Sequence, residues 1–90
     1  MKKTIAVLVR DRQGEAMRMA LGLVLADDAV DVYVLDGKLA DTEDNRLYLA
    51  TLKEFELRIF TNHPENEGLE YLSTEQIAQR LPQYDHTLPY

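Results

Sequence analysis

Ninety residues make a single domain, 1–90, with room for only a modest core, so association with further copies is a natural source of extra stability. Sixteen acidic against ten basic side chains give a net charge of −6, which repels phosphate backbones and argues against a nucleic-acid partner. The chain has no cysteine, and that absence removes disulfides, thiolate metal ligands, thiol nucleophiles and persulfide carriage together.

In chain order, Ile5, Ala6, Val7, Leu8 and Val9 form a run without alternation. This predicts a central parallel strand over residues 4–9, covered on both faces. The basic start Met1-Lys2-Lys3 precedes an apolar run of only about five residues, ended by Arg10, too short for a signal peptide or a membrane span. A soluble, cytoplasmic protein with no membrane partner is therefore expected.

Residues 10–14 read as a loop and residues 15–26 as a helix. Its wheel is apolar almost all round, broken only by Glu15, Arg18 and Gly22. A surface helix normally carries a stripe instead, so this one is expected to be covered twice, by its own sheet and by a second copy. Met17, Met19, Leu21, Leu23 and Leu25 are the candidate contact residues. The plainer alternative is that the second helix or the C-terminal segment supplies the cover.

Asp27-Asp28 marks a turn at the opposite edge of the sheet, and residues 31–35 read as the second strand. Asp36-Gly37 ends it, a turn dipeptide in which glycine accepts positive φ at little cost. A polar connection, 38–41, leads to a helix over 42–56. Asp41 or Thr42 is its cap, and Glu43 and Asp44 favour the positive end of its dipole. Leu47, Tyr48, Leu52 and Phe55 are expected on its inner face. Residues 57–60 form the third strand, and 61–68, with Pro64 and Gly68, a loop. Ser73 and Gln76 have capping-box spacing and Leu72 with Ile77 that of a hydrophobic staple, so a third helix starts there and stops at Pro82. Residues 86–90 have the pattern of a short final strand, confined by Pro89 to an edge or a strand end.

This alternation predicts an α/β domain with a mainly parallel sheet of three to four strands and about three helices. Parallel strands place their carboxyl ends on one edge, where open α/β sheets bind ligands. Three polar clusters should meet there: Arg10-Asp11-Arg12-Gln13, Asp36, and Asn62-His63. They form the candidate ligand set. Arg10 and Arg12 ahead of a helix N-terminus suit an anion, although Gly14 alone makes no phosphate-cradling loop. The plainer reading is a solvated charged loop with Asp11 paired to an arginine. Asp36 and His63 have the makings of a carboxylate–imidazole pair. No nucleophile goes with them, since Ser73 is used as a cap and Thr61 has no evident base, so no enzyme is expected. His63 and His86 lack metal-ligand spacing, and the acidic run at 41–44 lacks the glycine and terminal glutamate of an EF-hand. No metal or cofactor is expected.

Residues 5–13, the helix 15–26, Val32-Tyr33-Val34-Leu35-Asp36, and LKEFELRIFTN (52–62) with the capped YLSTEQIAQRL (71–81) together resemble the DsrE/DsrF family. These are small flavodoxin-like α/β proteins of sulfur-relay systems, related to TusB, TusC and TusD. The resemblance covers nearly the whole chain and is one of pattern and length, without a diagnostic motif. It implies a flavodoxin-like three-layer sandwich and assembly into dimers, trimers or hexamers through helices and edges. Members that carry sulfur form a persulfide on a cysteine near the carboxyl edge. Thr61-Asn62-His63 stands at about that place here, and none of these side chains accepts a sulfane sulfur. The expectation is a non-catalytic, self-associating DsrE-like protein, with another sulfur-relay-type protein as a further partner. The alternative is a protein that binds a small anionic metabolite or nucleotide at the carboxyl edge.

Overall fold

The computed structural model describes residues 3–26, 29–66 and 68–90; Asp27-Asp28, read above as a turn, lies outside them. The chain runs β1 (Thr4–Val9), α1 (Gln13–Leu25), β2 (Ala29–Val34), α2 (Glu43–Glu54), β3 (Arg58–Thr61), β4 (Glu70–Tyr71), α3 (Thr74–Arg80), a 3-10 turn (Leu81–Gln83) and β5 (His86–Pro89). Among the described residues five strands, all parallel, form one sheet in the order β4-β3-β2-β1-β5. The fold is thus the α/β arrangement that the alternation predicts, and it is the flavodoxin-like sandwich that the resemblance implies. The sheet is wider than the three to four strands expected. The strand beyond the expected number is β4, whose two residues pair Glu70 with Phe60 and Tyr71 with Thr61. Two residues carry no periodicity, so the sequence holds no sign of it. The final strand does form, and Pro89 sits on the β5 edge beside Leu8.

Register explains why β1 shows no alternation. The row Leu88, Val7, Val32, Ile59 faces α1 and α2, while Leu8, Tyr33 and Phe60 face α3. Residues 5–9 are all buried, so both faces of β1 demand apolar side chains. One core layer joins Val7, Val9, Val32 and Val34 to Ala16, Met17, Ala20 and Leu52; the other joins Ala6, Leu8, Tyr33 and Phe60 to Ile77.

α1 sorts its apolar band by radius. Ala16, Met17 and Ala20 are buried against the sheet, and Leu21, Leu23 and Val24 are partly covered at the flanks. Met17 thus belongs to the domain's own core, which corrects its place among the candidate contact residues. Arg18, Glu15 and Gly22 form the outer ridge, bordered by Met19 (40% exposed) and Leu25 (68% exposed). α2 packs beside α1, and Tyr90 packs into the same core layer, so part of the cover is internal. On α2 the expected inner face is also corrected. Asn45, Tyr48, Leu49 and Leu52 point inward, whereas Leu47 and Phe55 are exposed. Inward positions recur every three to four residues, and Leu47 lies about 100° round the helix from Tyr48.

Thr42 caps α2, its hydroxyl accepting from the Asn45 N–H, and Ser73 with Gln76 forms the full capping box of α3. In the β2 turn the left-handed residue is Asp36 (φ 64°) and not Gly37. At the end of α2 the same conformation falls on Glu56 (φ 61°). There Leu57 N–H reaches Leu52 C=O and Glu56 N–H reaches Lys53 C=O, a Schellman turn whose left-handed position normally prefers glycine.

A hydrogen-bonded chain pins the last segment to the α3 face. Arg80 Nε donates to the Tyr33 hydroxyl at 3.2 Å; Tyr33 donates to Tyr84 at 2.7 Å, because the Tyr84 proton goes to the Asp31 carboxylate. Tyr33 also stacks on Phe60, with the Arg80 guanidinium 4.6 Å from that ring's centroid. Burial and the Asp31 carboxylate together push the Tyr84 hydroxyl well above the usual tyrosine range.

Two outcomes follow from these contacts. Glu56→Gly relieves the left-handed strain and should raise unfolding stability by about 0.5–1 kcal/mol, read by urea titration. Tyr84 stays protonated in the fold while the unfolded residue ionises near pH 10. Its contribution is therefore complete below that pH and declines above it. The stability gap between wild type and Tyr84→Phe should narrow as pH rises from 9 to 11 on the ordinary tyrosine scale of about 10, again by urea titration.

Candidate functional site

The parallel register brings the three polar clusters to one edge. Leu35 N–H extends the ladder to Val9 C=O at 3.0 Å, and just beyond it Arg10 Nε meets Asp36 Oδ2 at 3.2 Å. Asp36 N–H donates to Asn62 Oδ1 at 3.0 Å, and Asn62 Nδ2 donates to Thr74 Oγ1 at 3.1 Å. Arg10, Asp36 and Asn62 therefore form one continuous chain across the ends of β1, β2 and β3 to the start of α3.

The other members of the predicted set are engaged locally. Gln13 Oε1 accepts from Ala40 N–H at 2.9 Å, and its Nε2 donates to Lys38 C=O at 3.4 Å. Arg12 pairs with Glu15 at 3.3 Å and lies 5.3 Å from the centre of the Tyr90 ring. The Asp11 and Arg12 N–H groups both donate to Tyr90 C=O. Among the described residues the Asp11 carboxylate pairs with no arginine; Asp36 and Glu15 hold those partners instead. His63 Nδ1 accepts from Glu65 N–H at 3.3 Å, and among the described residues no hydrogen bond joins it to Asp36. The ion pairs here are half-exposed, so each contributes at most about 1 kcal/mol.

The strongest polar element at this edge was not legible in the sequence. Asn66 is 7% exposed. Its Oδ1 accepts from Leu39 N–H at 2.8 Å, and its Nδ2 donates to Gly37 C=O at 3.0 Å and to Thr61 Oγ1 at 2.8 Å. Thr61, itself buried, also accepts from His63 N–H at 3.0 Å. Three backbone N–H groups of the β2–α2 connection, those of Asp36, Leu39 and Ala40, thus end on side-chain amides from three other positions: Asn62, Asn66 and Gln13. A run of asparagine, proline and glycine signals a loop, but nothing local marks which amide becomes buried.

A cavity of about 570 Å³ lies between residues 38–41, the start of α2, and Glu65, Asn66 and Leu69. Leu39, Leu49 and Leu69 form its apolar wall, and Asn45, Asn66, Lys38, Asp41, Arg46 and Glu65 line the rest. None of Arg10, Asp11, Arg12, Gln13, Asp36, Asn62 or His63 lines it. No group of three or more histidine, aspartate or glutamate side chains suited to a metal ion occurs among the described residues.

Replacing Asn66 by alanine leaves a buried N–H, a carbonyl and a hydroxyl short of a partner, and should cost about 2–3 kcal/mol. Asn62→Ala, at a half-exposed position where water substitutes, should cost about 0.5–1 kcal/mol. Urea unfolding of both variants checks the order; equal losses would contradict it.

Along its whole length the chain superposes on the whole of the YchN protein from E. coli, whose crystal structure is known, with a TM-score of 0.76 at 13% identity. No family model matches the sequence, and no curated protein matches it. The likeness is one of fold, and that fold is the one the DsrE/DsrF resemblance implies.

Proposed function

We propose that this protein is a non-catalytic DsrE-like subunit that acts by docking, with copies of itself and with a further sulfur-relay-type protein, and that it carries no persulfide. The observation that carries the reading is chemical. A sulfane sulfur travels on a thiolate, and the chain holds no cysteine. At the place the resemblance gives to that thiol, the Thr61 hydroxyl is bonded to the His63 backbone and the Asn62 amide to Asp36 N–H and Thr74 Oγ1. Incubation with a persulfide donor should leave no covalently bound sulfur on the protein by intact mass.

The outer ridge of α1 supports the docking half of the reading. Gly22 and Ala26 leave it low, and Met19 and Leu25 border it with apolar surface that the domain itself does not cover. An anionic metabolite in the crevice around Arg10 and Arg12 has less support, because both guanidinium groups are already paired with carboxylates. The double variant Met19→Lys/Leu25→Lys should convert an assembled wild type into a folded monomer of 10.4 kDa in light scattering. A mass shared by variant and wild type would contradict self-association through this ridge.

A further inference from the structure

Gly22 stands inside α1, where glycine costs a helix stability relative to alanine. The domain itself does not require it. The position is exposed, and a Cβ there would meet no atom of the surrounding structure within 4 Å. Glycine suits a place where a second backbone passes close. We infer, resting on the self-association proposed above, that a second copy of this chain crosses at Gly22, the two α1 helices packing antiparallel about a two-fold axis through that residue.

On such an axis each residue faces the one equally far beyond Gly22 on the other helix. Met19 and Leu25, the exposed apolar residues of α1, lie one on each side of Gly22 along the chain. Around the helix they stand about 60° to either flank of it. The two-fold therefore sets Met19 of each copy on Leu25 of the other, and both apolar borders are covered at once. A groove of about 360 Å³, lined by Glu15, Arg18, Met19, Gly22 and Tyr90, opens on this ridge to receive the second helix.

Charge selects the same arrangement. Arg18 is exposed, and among the described residues it pairs with no carboxylate. One turn before Gly22, it faces Ala26, one turn after Gly22, on the second copy. Ala26 caps the carboxyl end of α1, whose last turn carries no basic side chain, and the sequence continues into Asp27-Asp28. A cation without an anion thus meets a helix end without a cation, where the dipole is negative. A parallel pair would instead set Arg18 against Arg18, which like charges oppose.

Because the chain has no cysteine of its own, single-cysteine cross-linking tests the crossing directly. Gly22→Cys oxidised with diamide should give a covalent dimer in non-reducing electrophoresis, since a residue on the axis meets its own copy within disulfide reach. Arg18→Cys and Ala26→Cys should each fail to cross-link alone, their copies lying about 12 Å apart along the helices, and should cross-link when mixed. Without cysteines, Arg18→Glu should weaken dimerisation at least about tenfold in analytical ultracentrifugation, counting both copies of the contact. Ala26→Lys should also weaken it, although a cation there favours α1 itself, so misfolding is not the cause. The double variant Arg18→Glu/Ala26→Lys exchanges the charges across the axis and should restore the dimer. Stronger cross-linking of Arg18→Cys than of Gly22→Cys, or no recovery in the double variant, would overturn the crossing and leave self-association through the ridge standing. A wild type that is monomeric in the same runs would remove both.

Discussion

Backbone N–H groups that leave a sheet must find an acceptor, and in the β2–α2 connection three of them find it in a side-chain amide. Asn62 takes Asp36, Asn66 takes Leu39 and Gln13 takes Ala40. These bonds hold the connection against the start of α1 on one side and the β3–β4 loop on the other. The position of Leu39 on the cavity wall depends on them, and so does the approach of Asp36 to Arg10. The carboxyl edge is therefore braced by neutral amides, which bond at full strength without the desolvation that buried charges incur.

Most of the fold was legible because its signals are local. The uninterrupted apolar run of β1, the cap at Ser73, a cap at Asp41 or Thr42, and the confinement of Pro89 to an edge each follow from a few adjacent residues. What escaped was set by distant partners. β4 exists because Glu70 and Tyr71 lie against Phe60 and Thr61, and Leu47 faces water because Asn45, Leu49 and Leu52 define the inner side of α2. The buried place of Met17 likewise follows from which face α1 turns to the sheet, a choice that a nearly all-apolar wheel leaves open.

The site was legible in location more than in role. Parallel strands must gather their carboxyl ends, so the meeting of Arg10, Asp36 and Asn62 could be read from the order of elements. Their occupation could not, because it depends in part on contacts 26 or 27 residues away, as between Asp36 and Asn62 or Leu39 and Asn66. Asn45 and Asn66 went unremarked for the same reason. The missing thiol is the opposite case: it is a fact of composition, and no fold supplies it.

The most direct measurement is native-state amide hydrogen exchange at Asp36, Leu39 and Ala40. If side-chain amides brace the carboxyl edge, these three N–H groups exchange slowly and as a set, although they lie outside any strand or helix. Exchange of all three at the rates of an unstructured chain would show that the bracing is not formed in solution, and the account of this edge would fall with it.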